Sequence, residues 1–474
     1  MSTTGVQPAG PADVTVVLFR DDLRVADNPA LHAALERQGS VIALYVLDEV
    51  SSDIRPLGGA SRWWLHESLL ALRASLEPLG VPLVLRKGAT EAVVRLVVAE
   101  SGATRILWNR RYGLAEIAID TRLKSQLRAR GLEAASFQAS LLFEPWTIRT
   151  GGGTPYSVFT PFWRACLAGP EPRAPLPVPT PAGVAAPSVD TDALEEWALQ
   201  PSNPDWASGL RRTWIPGEAS AGARLQRFLD DELEGYSLGR DVPAQHATSR
   251  LSPHLRWGEI SAHQIWHEVR AIRPSLSPRG ADGAAKFLSE VGWREFSWHV
   301  LFHSPRLADM PWRREFTDFQ WPVLDRRALE AWQRGQTGIP LVDAGMRELW
   351  QTGTMHNRVR MVTASFLTKN LLIDWREGER WFWDTLVDAD PAANPFNWQW
   401  VAGLGADAAP YFRIFNPEVQ ARKFDPQRSY ILQYVPECEG AEYPAPIVDL
   451  ADSRRAALAT HLEMKARVGE RKVP

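Results

Sequence analysis

The 474-residue chain has a net charge of −3 and 45% hydrophobic residues; it exceeds the size of one hydrophobic core, so two domains are expected. No run approaches the ~18 apolar residues of a membrane span, and the balanced charge leaves nucleic-acid binding to a local basic patch, since phosphate attraction acts over a Debye length of ~10 Å. Two cysteines, Cys166 and Cys438, cannot build a disulfide framework, and the start MSTTGVQPAGPADVT lacks the basic and apolar regions of a signal peptide, so a reducing cytoplasm is expected.

VTVVLF (14–19) is an apolar, β-rich run. A helical stretch follows over Pro29–Gln38, then VIALYVL (41–47), a helical pattern over about 61–79, PLVLRKG (82–88), a helix near 90–101 and TRILWN (104–109). Strands alternating with helices predict a parallel sheet, a Rossmann-like α/β domain over 13–142. The first strand leads into RDDLRVADN (20–28) rather than a glycine-rich phosphate turn, which argues against a nicotinamide dehydrogenase. Over 143–216 the character changes: GPEPRAPLPVPTPAGVAAP (169–187) favours extended backbone without a core, an interdomain connector. Beyond Ala221 helical patterns dominate, which predicts a larger, all-α domain over 217–474.

Four segments of that domain combine polar ligands with tryptophan, of which the chain has 21 against 8 tyrosines. In YSLGRDVPAQHATSRLSPHLRWGEIS (236–261), TSRLS puts hydroxyls and backbone N–H groups before a helix, which suits a phosphate but equally an ordinary N-cap. EVGWREF (290–296) sets Glu290, Trp293 and Arg294 on one helical face, and a plain Glu290–Arg294 ion pair beside a core tryptophan would explain it too. TMHNRVRMVTASF (354–366) carries His356, Asn357, Arg358 and Arg360 in a single turn of an otherwise apolar helix; such a cluster is either a solvated face or a pocket lining. The fourth segment is LVDADPAANPFNWQWVAG (386–403). The ten histidines are scattered and no paired-cysteine motif occurs, so no metal site and no hydrolase triad is expected.

Together with VVLFRDDLRVADNPAL, these segments resemble the photolyase/cryptochrome family along nearly the whole chain. The resemblance implies an antenna-chromophore domain, an all-α domain holding U-shaped FAD, and light-driven electron transfer. It implies that Tyr236, Thr248, Ser249, Arg250, Leu251 and Ser252 hold the FAD phosphates and ribose. Arg294, Asn357, Arg360, Asp388, Ala389 and Asp390 would line the flavin pocket, with Asn394 facing flavin N5, where a neutral amide favours the fully reduced flavin that repair needs. Trp398, Trp375 and Trp321 would form the electron chain from flavin to solvent. Asn357 and Met361 stand where (6-4) photolyases have histidines, so HNRVRM resembles the cyclobutane pyrimidine dimer (CPD) photolyases. Glu290, Trp293, Asn357, Met361 and Trp400 would hold a flipped-out dimer, and Arg240 and Arg358 would contact DNA phosphates.

The expected function is thus light-dependent repair of pyrimidine dimers in UV-damaged DNA, by a monomer without an obligate protein partner; the alternative is a blue-light photoreceptor of cryptochrome type without repair activity. RPLGGASRWWLHESL and WNRRYG look most like bacterial class III CPD photolyases, which points to methenyltetrahydrofolate as second chromophore. Better-known folate-binding members carry a glutamate near the position of Gly113 that this chain lacks, which leaves 8-hydroxy-5-deazaflavin as the alternative.

Overall fold

The computed structural model describes residues 13–470 except 38 and 409–411. The expectations for residues 1–12, the helix end at Gln38 and residues 471–474 of the expected all-α domain lie outside the described residues.

Five parallel strands, β1 (Val14–Phe19), β2 (Ser40–Leu47), β3 (Leu83–Lys87), β4 (Arg105–Asn109) and β5 (Glu133–Phe137), form one sheet in the order β3-β2-β1-β4-β5. Val16 sits in register with Ile42 on one side and Ile106 on the other. The central strands are buried along their whole length, as expected when helices cover both faces: α1 (Pro29–Leu35), α2 (Gly59–Leu76), α3 (Thr90–Ser101) and α4 (Leu114–Ala129). The chain winds outward from β1 through β2 to β3, then returns to β4 on the other side of β1. The β1/β4 boundary is therefore the topological switch point, beyond whose carboxyl ends ligands bind in such sheets.

The segment 143–216 holds more structure than its prolines suggest. Residues 170–182 are free of helix and strand, but α5 (Phe159–Ala168) buries Phe159, Phe162, Trp163 and Cys166 in a core shared with the helical region. Gly292 permits that contact, because a Cβ there would lie 2.6 Å from the Trp163 ring. The remainder is helical, its longest described helices being Pro278–His303 and Leu450–Glu470. No helix among the described residues is long and apolar enough to cross a membrane.

The two regions are tied by buried polar contacts. Glu259 accepts from Trp64 Nε1 at 3.0 Å and Ser68 Oγ at 2.6 Å, and Arg256 donates to Asp21 and to the Ala389 carbonyl, both at 2.7 Å. Arg55, just before α2, grips Glu379 with two bonds of 2.6 and 2.8 Å.

Candidate active site

One cavity, of about 480 Å³, falls within the ~300–1,000 Å³ of ligand clefts. Three helices build most of it. On Pro278–His303, residues Lys286, Glu290, Trp293, Arg294 and Ser297 recur at three- and four-residue spacing and present one face to it. Asn357–Ser365 contributes Asn357, Arg358, Arg360, Met361 and Ala364, and Ala393–Ala402 contributes Asn394, Asn397, Trp398 and Trp400. Tyr236, Arg240, Ser249, Leu251, Ser252, Asp388 and Asp390 close the remaining sides.

The polar turn of the 354–366 segment is thereby explained. His356 caps the helix, its Nδ1 accepting from the Arg358 amide at 3.2 Å. Burial and the neighbouring arginines outweigh Asp241 and hold the His356 pKa down to about 4, which keeps that nitrogen free to accept. Arg360 donates to Asp388 at 3.0 Å and to the Met355 carbonyl at 2.7 Å, so a cation and a carboxylate share the cavity wall. Asp390 accepts from the amides of Ala392 and Ala393, at 2.8 and 2.7 Å, at the start of the helix Ala393–Ala402.

Asn394 is oriented by a residue that sequence reasoning missed. Its Nδ2 donates to the carbonyl of Glu379 at 3.1 Å and to Glu379 Oε1 at 2.8 Å. Reversing the amide would set its oxygen against two acceptors, so the network dictates the orientation. Both protons face Glu379, and Oδ1 is left for the cavity as an acceptor. Glu379 is buried, and its charge is met by Arg55, which lies 4.0 Å over the Trp383 ring.

The plain Glu290–Arg294 ion pair, the alternative reading of that helical face, does not form. Glu290 pairs with Arg240 and, at 3.1 Å, with Lys286. Arg294 donates to the Ser140 carbonyl at 2.9 Å and to Glu295 Oε1 at 3.2 Å. Burial pushes the Glu295 carboxyl up to about 7, against the pull of Arg294 and two backbone amides. The apolar wall is stiffened from behind: Trp293 stacks on Phe159 of α5 with centroids 3.9 Å apart. Trp400 Nε1 donates to the Asp407 carbonyl at 3.1 Å.

Thr248, Arg250 and Ala389 lie outside the cavity lining. Arg250 has a positive φ of 52° and lays its guanidinium 4.4 Å over Trp214, while the Thr248 and Ser249 carbonyls accept from Arg224 at 2.9 and 2.7 Å. Of the three electron-chain candidates, Trp398 lines the cavity, and all three pack in one hydrophobic cluster, Trp375 and Trp398 buried and Trp321 partly so. Gly378 admits Trp398, because a Cβ there would stand 2.1 Å from the indole. Cavity residues absent from the sequence reading include Leu255, Arg256, Lys286, Phe287 and Asn397; Lys286 and Phe287 share the face of Glu290 and could have been found by helical spacing alone.

A second, smaller cavity of about 100 Å³ lies at the switch point, lined among others by Arg20, Asp21, Tyr45, Asp48, Arg55, Arg111 and Trp383. Among the described residues no cluster of His, Cys, Asp or Glu could hold a metal ion.

Residues 15–182 match the family described as DNA photolyase, and residues 287–442 the FAD binding domain of DNA photolyase. The chain is 47% identical to a deoxyribodipyrimidine photo-lyase of Agrobacterium fabrum, over 95% of this chain and 98% of that protein. It is 37% identical to Cryptochrome-1 of Arabidopsis thaliana, over 95% of this chain and 70% of that protein. The crystal structure of a bacterial class III photolyase from Agrobacterium tumefaciens superposes with a TM-score of 0.93 at 46% identity, covering 98% of this chain and 100% of that one.

Proposed function

The chain belongs to the DNA photolyase family, and from that premise we propose that it is a light-dependent deoxyribodipyrimidine photo-lyase that splits cyclobutane pyrimidine dimers in UV-damaged DNA. One observation carries this reading: the residues suited to flavin and those suited to a dimer line the same cavity. Arg294, Arg360, Asp388, Asp390 and Asn394 line it together with Glu290, Trp293, Asn357, Met361 and Trp400.

The cavity fits FAD by its donor set. Tyr236, Ser249, Leu251 and Ser252 would hold the phosphates and ribose, supported from outside by Thr248, Arg250 and Ala389. Asn394 would offer Oδ1 to flavin N5, its amide held by Glu379. When bound, the reduced flavin supplies the light-driven electron to the dimer and takes it back. The chain's own residues do the rest. Trp293 and Trp400 stack against the flipped-out bases and exclude water. Glu290 accepts from thymine N–H or shares a proton with a carbonyl, Asn357 and Met361 bound the pocket floor, and Arg240 and Arg358 contact phosphates. Trp398, Trp375 and Trp321 would offer the route by which electrons from solvent reach a bound, oxidised flavin.

The second chromophore, methenyltetrahydrofolate or alternatively 8-hydroxy-5-deazaflavin, belongs in this reading at the switch-point cavity. That cavity's volume of about 100 Å³ is below the ~300 Å³ of ligand clefts, so seating a chromophore requires it to open. The same reading has a cytoplasmic monomer, with an antenna domain over 13–142, a connector over 143–216 and a catalytic domain over 217–474. The test is incubation of the flavin-loaded protein with an oligonucleotide holding one thymine dimer, in blue light and in the dark. Loss of the dimer only in light supports the proposal; no loss under either condition assigns the protein to the photoreceptors.

A further inference from the structure

Five charged side chains alternate in sign along the cavity mouth. Lys286 Nζ lies 3.1 Å from Glu290, Glu290 pairs with Arg240, Arg240 Nε is 4.0 Å from Asp241 Oδ1, and that oxygen is 2.7 Å from Arg358 Nη2. Four of the five line the cavity; Asp241 does not. Its ion pairs are with Arg240 and Arg358, and its position between the two arginines is its evident role. Arg358 is held on its other side by the Phe424 ring, 4.4 Å from its carbon, and the same ring carries Lys423 Nζ at 5.0 Å. Arg358 Nε is buried without a partner, so the guanidinium has donor capacity that Asp241 leaves unused.

Three cations and two carboxylates leave the row with one net positive charge. A duplex passing over the surface feels that net field, screened over ~10 Å. A backbone pulled against the mouth by a flipped-out base feels something else, because its phosphate reaches Arg358 directly and competes with Asp241 for a bidentate contact. Resting on the repair reading above, we infer that Asp241 is a specificity-determining residue, which masks Arg358 from undamaged DNA and yields it to DNA whose backbone is drawn into the cavity mouth.

The test titrates the flavin-loaded full chain with one duplex, with and without a single dimer, across a salt series. Wild type, Asp241→Asn, Arg358→Ala and the double variant are compared, with Asp241→Ser as a second charge removal and flavin content and melting as checks on folding. Both Asp241 substitutions should raise affinity for undamaged duplex about 5–10-fold near 0.1 M salt and steepen the log–log salt slope by about 0.9, the value of one added phosphate contact. Affinity for the dimer duplex should rise less, so that discrimination falls, and Asp241→Asn should have no effect in the Arg358→Ala background. An equal rise on both duplexes, no rise, or an undiminished rise without Arg358 overturns the inference. Failure of wild type to prefer the dimer duplex would instead overturn the repair reading itself.

Discussion

Replacing Glu379 with glutamine should release the Asn394 amide. In the native network Glu379 accepts two bonds from Arg55 and one from Asn394 Nδ2. Glutamine keeps the shape but brings an NH2 group, which opposes the guanidinium at either position because Arg55 holds both oxygens. At the Oε1 position it also opposes Asn394 Nδ2, a contact relieved only if Asn394 turns over and presents its own NH2 to the cavity. Losing a charged hydrogen bond costs about 1.5–3 kcal/mol. Breaking a buried pair costs about 3–5 kcal/mol, but Arg55 is one-third exposed and stacked on Trp383, so water takes up part of its charge and about 2–3 kcal/mol is the expected loss of stability. Function moves separately. Reduced flavin carries a proton at N5 that Asn394 Oδ1 would accept, so a turned amide disfavours reduction. A differential of about 1.4–2.8 kcal/mol corresponds to about 30–60 mV for a two-electron couple, with the potential becoming more negative. Thermal melting and the flavin midpoint potential, measured on the same sample, separate the two effects. A lower melting temperature with an unchanged potential would reduce Glu379 to an anchor between the two regions and refute the positioning argument.

Three further outcomes are expected. Glu290→Ala should lower repair yield per bound flavin by more than about tenfold, the loss of one charged hydrogen bond of about 1.5–3 kcal/mol, while flavin content stays near wild type because Arg294 does not depend on Glu290; an unchanged yield would remove Glu290 from the reaction. Trp375→Phe should abolish photoreduction of oxidised flavin yet spare repair by chemically reduced enzyme, and normal photoreduction would exclude the assigned chain. Glu295, with its carboxyl raised to about 7, contributes stability that is present below the unfolded value near 4.5 and lost as pH rises through 7. The wild type should therefore lose up to about 3 kcal/mol between pH 4.5 and 8 through this group, at 1.36 kcal/mol per unit, and Glu295→Gln should flatten that part of the urea-midpoint profile; an equal slope in the variant would locate the pH dependence elsewhere.

The sheet was legible wherever strands are buried on both faces, because β1, β2 and β4 then read as unbroken apolar runs. The edge strand β5, EAASF, is mostly half-exposed and carries no such signal. Helix α5 hides between glycine- and proline-rich stretches, although Phe159, Phe162, Trp163 and Cys166 have helical spacing. The cavity was largely legible because most of its residues come from four compact segments of the sequence. Glu379 was not: within REGERWFW it looks like any charge on a helix, and its partner Arg55 is 324 positions away. Nor could spacing foretell that Glu290 would choose Arg240 and Lys286 over Arg294, since the choice depends on how the 236–241 turn packs against the long helix.

The central claim is that one cavity holds flavin and dimer side by side, close enough for direct electron transfer. The excited-state lifetime of the protein-bound, chemically reduced flavin tests it most directly, measured with saturating dimer-containing oligonucleotide and with the same undamaged sequence. The account predicts a lifetime shortened by the dimer alone. An unchanged lifetime at saturating dimer DNA would contradict it.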